Sequence, residues 1–285
     1  MDIVSRPDTI AWPAPAKLNR MLRIVGRRAD GYHLLQTVFQ FLDYGDWLWF
    51  EPRTDRSLVR AYEIPGVPMD TDLSMRAARL LQKVTGVSQG VTLHMLKRLP
   101  LGGGLGGGSS DAATTLIALN QQWQTGLTLT ELAALGLTLG ADVPVFVHGQ
   151  AAWAEGVGEQ LTPIDLDEPW FVVLVPACQV ATGAVFNDPE LTRNSVPITI
   201  ADFIMGAGGN DCEAVVYRRY PKVAAAAAWL AQYGPARLTG TGACVFAAFG
   251  DNASAEQVLA QLPSGWIGLI ARGCNRSPLH AHWTR

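Results

Sequence analysis

From Leu99 to Asp111 the chain reads Leu-Pro-Leu-Gly-Gly-Gly-Leu-Gly-Gly-Gly-Ser-Ser-Asp, the densest chemical signal in the sequence. Consecutive glycines leave backbone N–H groups uncovered and permit positive φ, so such a loop can wrap an anion. An extended segment at 91–96 precedes the run. Apolar residues Ala112, Ala113, Leu116, Ile117 and Leu119 follow at helical spacing, with Ser109 or Ser110 as the expected cap. The helix adds free N–H groups and a positive dipole end, and phosphate is the natural guest. A flexible linker is not normally flanked in this way. Gly102 and Gly107 have the P-loop separation, but Gly108 stands where a Walker A motif needs Lys, so that motif is excluded. Gly102, Gly104 and Gly107 satisfy G-x-G-x-x-G as any glycine run does, and Glu131, the next suitable acid, begins a helix instead of ending a strand. Charge neutralisation must then come from Mg2+ and a distant cation, for which Lys17, Lys97 and Arg98 are candidates.

A second constellation is Gly140-Ala141-Asp142-Val143-Pro144. Asp142, read as held in a fixed turn, is a cap or turn aspartate when taken alone. Beside a phosphate loop it is also the carboxylate that could accept a hydroxyl proton, with Lys17 keeping it ionised. A third, Leu238 to Phe246, holds Thr239-Gly240-Thr241-Gly242 and reads first as a hairpin turn. His280 and His282 have metal-like spacing but no nearby carboxylate, so a solvated tail is expected; His94 and His148 read as structural, and Trp47 to Trp49 as strand packing.

Positioning these groups falls to an α+β arrangement. A strand over 17–25 places Lys17, Asn19, Met21 and Arg23 on one face, and Asp30-Gly31 turns the chain. Strands over 37–41 and 47–50 are expected to flank a turn at Asp43-Tyr44-Gly45-Asp46. Helices are expected over 72–84, 109–123 and 131–139, and Pro144 predicts a buried strand over 143–147. The pattern restarts with a strand over 170–175, a capping box from Asn210 to Glu213, a helix over 221–233, a strand over 243–249 and a helix over 255–262. Two lobes follow, 1–163 and 164–285.

At 285 residues, 48% hydrophobic and 16% charged, the chain has the balance of a packed globular protein. A net charge of −3 gives no broad attraction for nucleic acid or anionic lipid. Cys178, Cys212, Cys244 and Cys274 form no C-x-x-C pair, and scattered thiols suggest the cytoplasm. Residues 1–12 lack the layout of a signal peptide, and no stretch is long and apolar enough to span a membrane.

Together, Pro13-Ala14-Pro15-Ala16-Lys17-Leu18-Asn19, the loop from Leu99 to Ala113 and the turn from Leu238 to Cys244 resemble the three ordered motifs of the GHMP small-molecule kinases. Arg27 to His33, Gln36 to Gln40, Gly140 to Phe146 and Asn275 to Leu279 extend the resemblance over nearly the whole chain. It is nearest to members whose substrate carries a cytidine diphosphate group. The resemblance implies an ATP-binding lobe and a ferredoxin-like C-terminal lobe with substrate in the cleft between them. The γ-phosphoryl group would pass to the 2-hydroxyl of a methylerythritol unit, in the non-mevalonate isoprenoid pathway.

It further implies Asp142 as general base and Lys17 as its catalytic partner. ATP contacts fall on Asp72, Lys97, Pro100, Gly102, Gly103, Gly104, Leu105, Gly106, Gly107, Gly108, Ser109 and Ser110. Substrate contacts fall on Asn19, Tyr32, His33, Thr182, Phe186, Thr241 and Gly242, with Tyr32, Phe186 and His33 around cytosine. Mg2+ is expected without a side-chain metal motif, and the protein as a monomer or homodimer. Three residues depart from the pattern: Asn187 stands where a basic side chain is expected, and Asp72 and Asp111 where Asn is usual. A related kinase for homoserine, mevalonate or a sugar, and a nucleotide-binding regulator without turnover, stay open at this point.

Overall fold

The structure, a computed structural model, describes residues 10–283. The leader reading of residues 1–9 and the side chain of His282 lie outside the described residues. Strands β1 (Trp12–Arg27) and β2 (His33–Arg53) form a long antiparallel hairpin around the expected turn, where Gly31 has φ +90°. The second turn, expected at Asp43–Asp46, does not form, because β2 runs straight through it. Gly45 lies against β1 so closely that a Cβ there would sit 2.2 Å from the Ala14 carbonyl oxygen. Asp46 is buried and accepts the backbone N–H groups of Arg98 and Leu99 at 2.5 and 2.8 Å. Glycine and aspartate here serve close approach and a buried polar anchor, not chain reversal.

Strand β3 (Leu58–Arg60) leads to helix α1 (Leu73–Thr85), whose N-cap Asp72 accepts the Ser74 N–H at 2.9 Å. Strand β4 (Gly90–Leu96) pairs with β2 and delivers the glycine run into helix α2 (Gly107–Gln122). Neither Ser109 nor Ser110 caps it. Gly106 is the N-cap at φ +74°, with no side-chain cap bond, so both serines lie in the first turn. Helix α3 (Leu129–Leu137) starts with a Thr128–Glu131 capping box.

The expected strand over 143–147 is instead helix α4 (Val143–His148), with Pro144 in its first turn and Gly149 closing it at φ +68°. Pro costs nothing in a first turn, where its missing N–H has no partner to lose, and a five-residue apolar run has no readable period. His280 is no solvated tail: its Nε2 lies 2.8 Å from the Val147 carbonyl oxygen.

Strands β5 (Ala152–Glu155) and β6 (Gln160–Pro163) extend the β2 sheet, and β7 (Trp170–Val175) opens the second half. Helices α5 (Thr182–Phe186), α6 (Ile200–Ile204), α7 (Glu213–Arg219) and α8 (Pro221–Leu230) follow. Then come β8 (Arg237–Leu238), β9 (Val245–Phe249), α9 (Asn252–Leu259), β10 (Ile267–Cys274) and α10 (Pro278–Trp283). The Asn210–Glu213 capping box does not form. Glu213 instead accepts the Leu238 N–H at 2.9 Å, and Asn210 donates to the Leu238 and Gly240 carbonyls, tying α7 to the Thr239–Gly242 turn.

Strand pairing runs β3-β4-β2-β10-β7-β9-β8, with β1 and β5 on β2 and β6 on β5. One core packs α1 to α4 on the first strands, through residues such as Phe41, Met75, Leu116 and Phe146. Another packs α7 and α8 on β7 and β9, through Val172, Val216, Leu230 and Val245. A third cluster, containing Leu18, Leu99, Leu105, Phe171 and Phe246, holds the start and the middle of the glycine loop between them.

Candidate active site

Alternation along β1 puts Lys17 and Asn19 on one face, where the Lys17 ammonium donates to Asn19 Oδ1 at 2.5 Å and to the Gly104 carbonyl at 3.1 Å. Asn19 in turn donates to Thr37 Oγ1 at 2.8 Å, a neighbour that sequence reasoning missed. Irregular pairing between Asn19 and Met21 then breaks the alternation, so Met21 packs with Val38 and Trp153 in a separate small cluster. Lys17 Nζ lies 3.3 Å from Asp142 Oδ2, with side chains 4% and 35% exposed. A buried cation thus holds a half-open carboxylate. Asp142 sits in the expected turn, at the N-cap position of α4, but its side chain makes no capping bond, and the carboxylate is available to the cleft.

The glycine loop is pinned through its carbonyl groups. Gly102 and Gly103 accept from the N–H groups of Ala243 and Cys244 at 3.3 and 3.0 Å, Leu105 accepts from Lys17 N at 2.9 Å, and Gly104 accepts from Thr239 Oγ1 at 3.1 Å. Gly102, Gly104 and Gly106 have φ of +67°, +78° and +74°. A Cβ on Gly104 would lie 2.2 Å from the Thr239 carbonyl oxygen, so only glycine fits that crossing. The turn from Thr239 to Gly242 is therefore both the hairpin turn and the wall against which the loop is held. The first-turn N–H groups of Gly107, Gly108 and Ser109 have no intrahelical acceptor, so this end of α2 presents free donors and the positive end of the helix dipole.

These elements enclose a cleft of about 940 Å3, lined at one end by Gly104, Gly106 and Ser109, in the middle by Lys17, Asn19 and Asp142, and at the other end by Tyr32, His33, Thr182, Phe186 and Thr241. The His33 and Phe186 rings stack with centroids 5.0 Å apart and planes at 26°, Tyr32 is 65% exposed at the rim, and the Thr182 and Thr241 hydroxyls meet at 2.9 Å. Burial, then Arg193 and Arg27, push the His33 pKa below its usual value, favouring a neutral ring.

Other expected site residues lie off this cleft. Lys97 bridges Asp46 and Asp111 at 2.5 and 2.8 Å, and Asp72 pairs with Arg60 at 2.8 Å besides capping α1. Ser110 and Leu105 are buried behind the loop, Pro100 packs against Gly103, and Gly242 sits behind Thr241 against Leu238 and Val180. Arg98 stacks its guanidinium on Tyr44 at 4.1 Å. Arg27, which lines the cleft with His33 and Phe186, and Arg193 were not expected as site residues, since each is one arginine in a strand end or loop.

Family models for the GHMP kinases N terminal domain and the GHMP kinases C terminal match residues 72–150 and 196–268. A relative from Nitrosococcus oceani, named 4-diphosphocytidyl-2-C-methyl-D-erythritol kinase, is 58% identical over 270 residues, covering 95% of this chain and 96% of its own. The chain belongs to the GHMP kinase family. A Chromohalobacter salexigens relative of the same name is 58% identical over 277 residues, covering 95% of this chain and 93% of its own. A crystal structure of 4-(cytidine 5'-diphospho)-2C-methyl-D-erythritol kinase superposes with TM-score 0.81 at 32% identity, covering 93% of this chain and 99% of that one. The Methanococcus jannaschii mevalonate kinase, at TM-score 0.69 and 14% identity over 95% and 100% of the chains, shares the fold. As a GHMP kinase the chain uses ATP, and its α+β fold is the two-part fold of that family. Among the described residues no helix is long and apolar enough to cross a membrane.

Proposed function

We propose that this chain transfers the γ-phosphoryl group of ATP to the 2-hydroxyl of 4-diphosphocytidyl-2-C-methyl-D-erythritol, giving the 2-phosphate and ADP, in the non-mevalonate isoprenoid precursor pathway. The observation that carries the reading is the Lys17–Asp142 pair, which stands in one cleft between an anion-binding loop and an aromatic base-sized end. Triphosphate lies on the glycine loop and the α2 N-terminus, and cytosine lies with His33, Phe186 and Tyr32. Asp142 accepts the hydroxyl proton as that oxygen forms its bond to the γ-phosphorus and the bond to the β-phosphate oxygen breaks. Lys17 holds the carboxylate in place and offsets the charge that develops there. Arg27, lining the base end where Asn187 offers no charge, is the cation for the substrate diphosphate.

Mg2+ favours oxygen ligands, many from phosphate and water. No group of three His, Cys, Asp or Glu suited to a metal is present among the described residues, but Ser109, in the first turn of α2, lines the cleft and its hydroxyl oxygen fits as a ligand beside phosphate oxygens and water. Bound there, the ion would neutralise phosphate charge. All four cysteines are free, in keeping with a cytoplasmic enzyme acting as a monomer or a homodimer.

Asp142→Asn tests the assignment. ATP affinity should stay within about twofold while kcat falls by roughly 10²- to 10⁴-fold, the usual range for a general base. A variant with more than about a tenth of wild-type turnover would remove Asp142 from that role. Phosphorus NMR of the product should place the new phosphate on the 2-hydroxyl; another position, or preference for homoserine or mevalonate in a panel of alcohols, would overturn the substrate.

A further inference from the structure

We infer that Arg193 is a positioning residue that fixes His33 in its Nδ1–H tautomer and thereby sets the hydrogen-bond polarity offered to the substrate base. The inference rests on the reading of this end of the cleft as a pyrimidine pocket. Arg193 Nε–H donates to His33 Nε2 at 3.1 Å. A guanidinium has only donors and keeps its proton at any working pH, so the imidazole nitrogen facing it must carry the lone pair. The ring proton is then on Nδ1. His33 can offer its pocket a donor, never an acceptor, at that nitrogen. Cytosine presents acceptors at O2 and N3, which such a donor reads.

Three of the four remaining N–H groups of the guanidinium are engaged too. Its Nη1 donates to the Leu191 carbonyl at 3.1 Å, and its Nη2 to the Phe186 and Asp188 carbonyls at 2.9 and 2.6 Å. One planar cation therefore holds both sides of the stack, the His33 ring and the end of α5 that carries Phe186. Arg193 and Arg27 are the charged groups acting on His33, and both oppose its protonation. A second proton on His33 would have to form at the nitrogen already receiving the Arg193 N–H. The polarity of the pocket is thus set before any ligand arrives, a form of preorganisation.

Long-range proton–nitrogen NMR of the free full-length protein, with His33 assigned by its loss in His33→Asn, reads the tautomer directly. A neutral ring protonated at Nδ1 from pH 6 to 8 is expected. In Arg193→Met the ring should become a mixture of tautomers that protonates near the ordinary histidine pKa of about 6.5. KM for the cytidine substrate should rise roughly tenfold at pH 8, as expected for one lost hydrogen bond, and further at pH 6, while KM for ATP stays put. Arg193→Lys keeps a donor and a charge; it should retain the tautomer and much of the affinity, and it serves if the methionine variant does not fold. An Nε2–H ring in the wild type, an unchanged ring in Arg193→Met, or a changed ring with unchanged KM would each overturn the proposal. Failure of the wild type to use the cytidine substrate would instead overturn the functional reading, which the spectrum of the free protein does not depend on.

Discussion

Asp142 and Asp111 show how surroundings separate two carboxylates of one chain. Asp142 is partly open and pairs with a single buried cation, which suits a group that must exchange a proton with substrate. Asp111 is buried, shares Lys97 with Asp46, and leaves its Oδ1 without a partner. Two carboxylates and one ammonium leave excess negative charge out of water. Burial, only partly offset by Lys97 and reinforced by Asp46, pushes the Asp111 pKa up to about 8. The folded state therefore holds this proton up to about pH 8, whereas the unfolded chain releases it near pH 4, and the group lowers stability as pH rises through that window. Asp111→Asn removes the penalty. It should stabilise the protein by roughly 1–2 kcal/mol at pH 8 and by almost nothing at pH 4, read as the difference in urea midpoints. Equal stability of variant and wild type at pH 8 would mean that Lys97 fully compensates both acids.

At the scale of elements, glycine is the residue whose meaning depends most on what lies across from it. Gly31 makes the turn that Asp-Gly implies, yet Gly45, in a similar Asp-and-Gly context, lies inside β2 where β1 crosses. Gly45→Ala would press a methyl group onto the Ala14 carbonyl. A loss of roughly 3 kcal/mol or more is expected in urea unfolding, against a few tenths for Gly250→Ala, where the added group meets nothing. The contrast explains what could be read in advance. Helix α1 was legible because its cap and period are local, and so was the Lys17–Asn19 pairing, which follows from strand alternation. Helix α4 was not, because an apolar run buried on all sides has no amphipathic period and Pro144 suits a first turn as well as an extended segment. Nor was the Arg193–His33 contact, which joins residues 160 apart through a loop with no pattern of its own.

For the whole molecule, we place a boundary near residue 163, where β6 ends and before β7 begins. On this division each half borrows from the other. Leu22 and Ile24 of β1 belong to the second core, and Leu279 of α10 belongs to the first. Strand β10 pairs with β7 from Ile267 to Arg272 and with β2 at Gly273 and Cys274, so one C-terminal strand stitches the two parts of the sheet. The glycine loop is held by the cluster between the cores. Unfolding either half would expose apolar surface of the other and release the loop, so the two should melt together. Tryptophans such as Trp123 and Trp153 report on the first half and Trp170 and Trp229 on the second. Fluorescence and far-UV circular dichroism should therefore give one coincident urea transition. A chain ending at Ser264 should lose that transition altogether, because it lacks the strand common to both sheet parts; two separated transitions in the intact protein would show instead that each lobe is stable without the other.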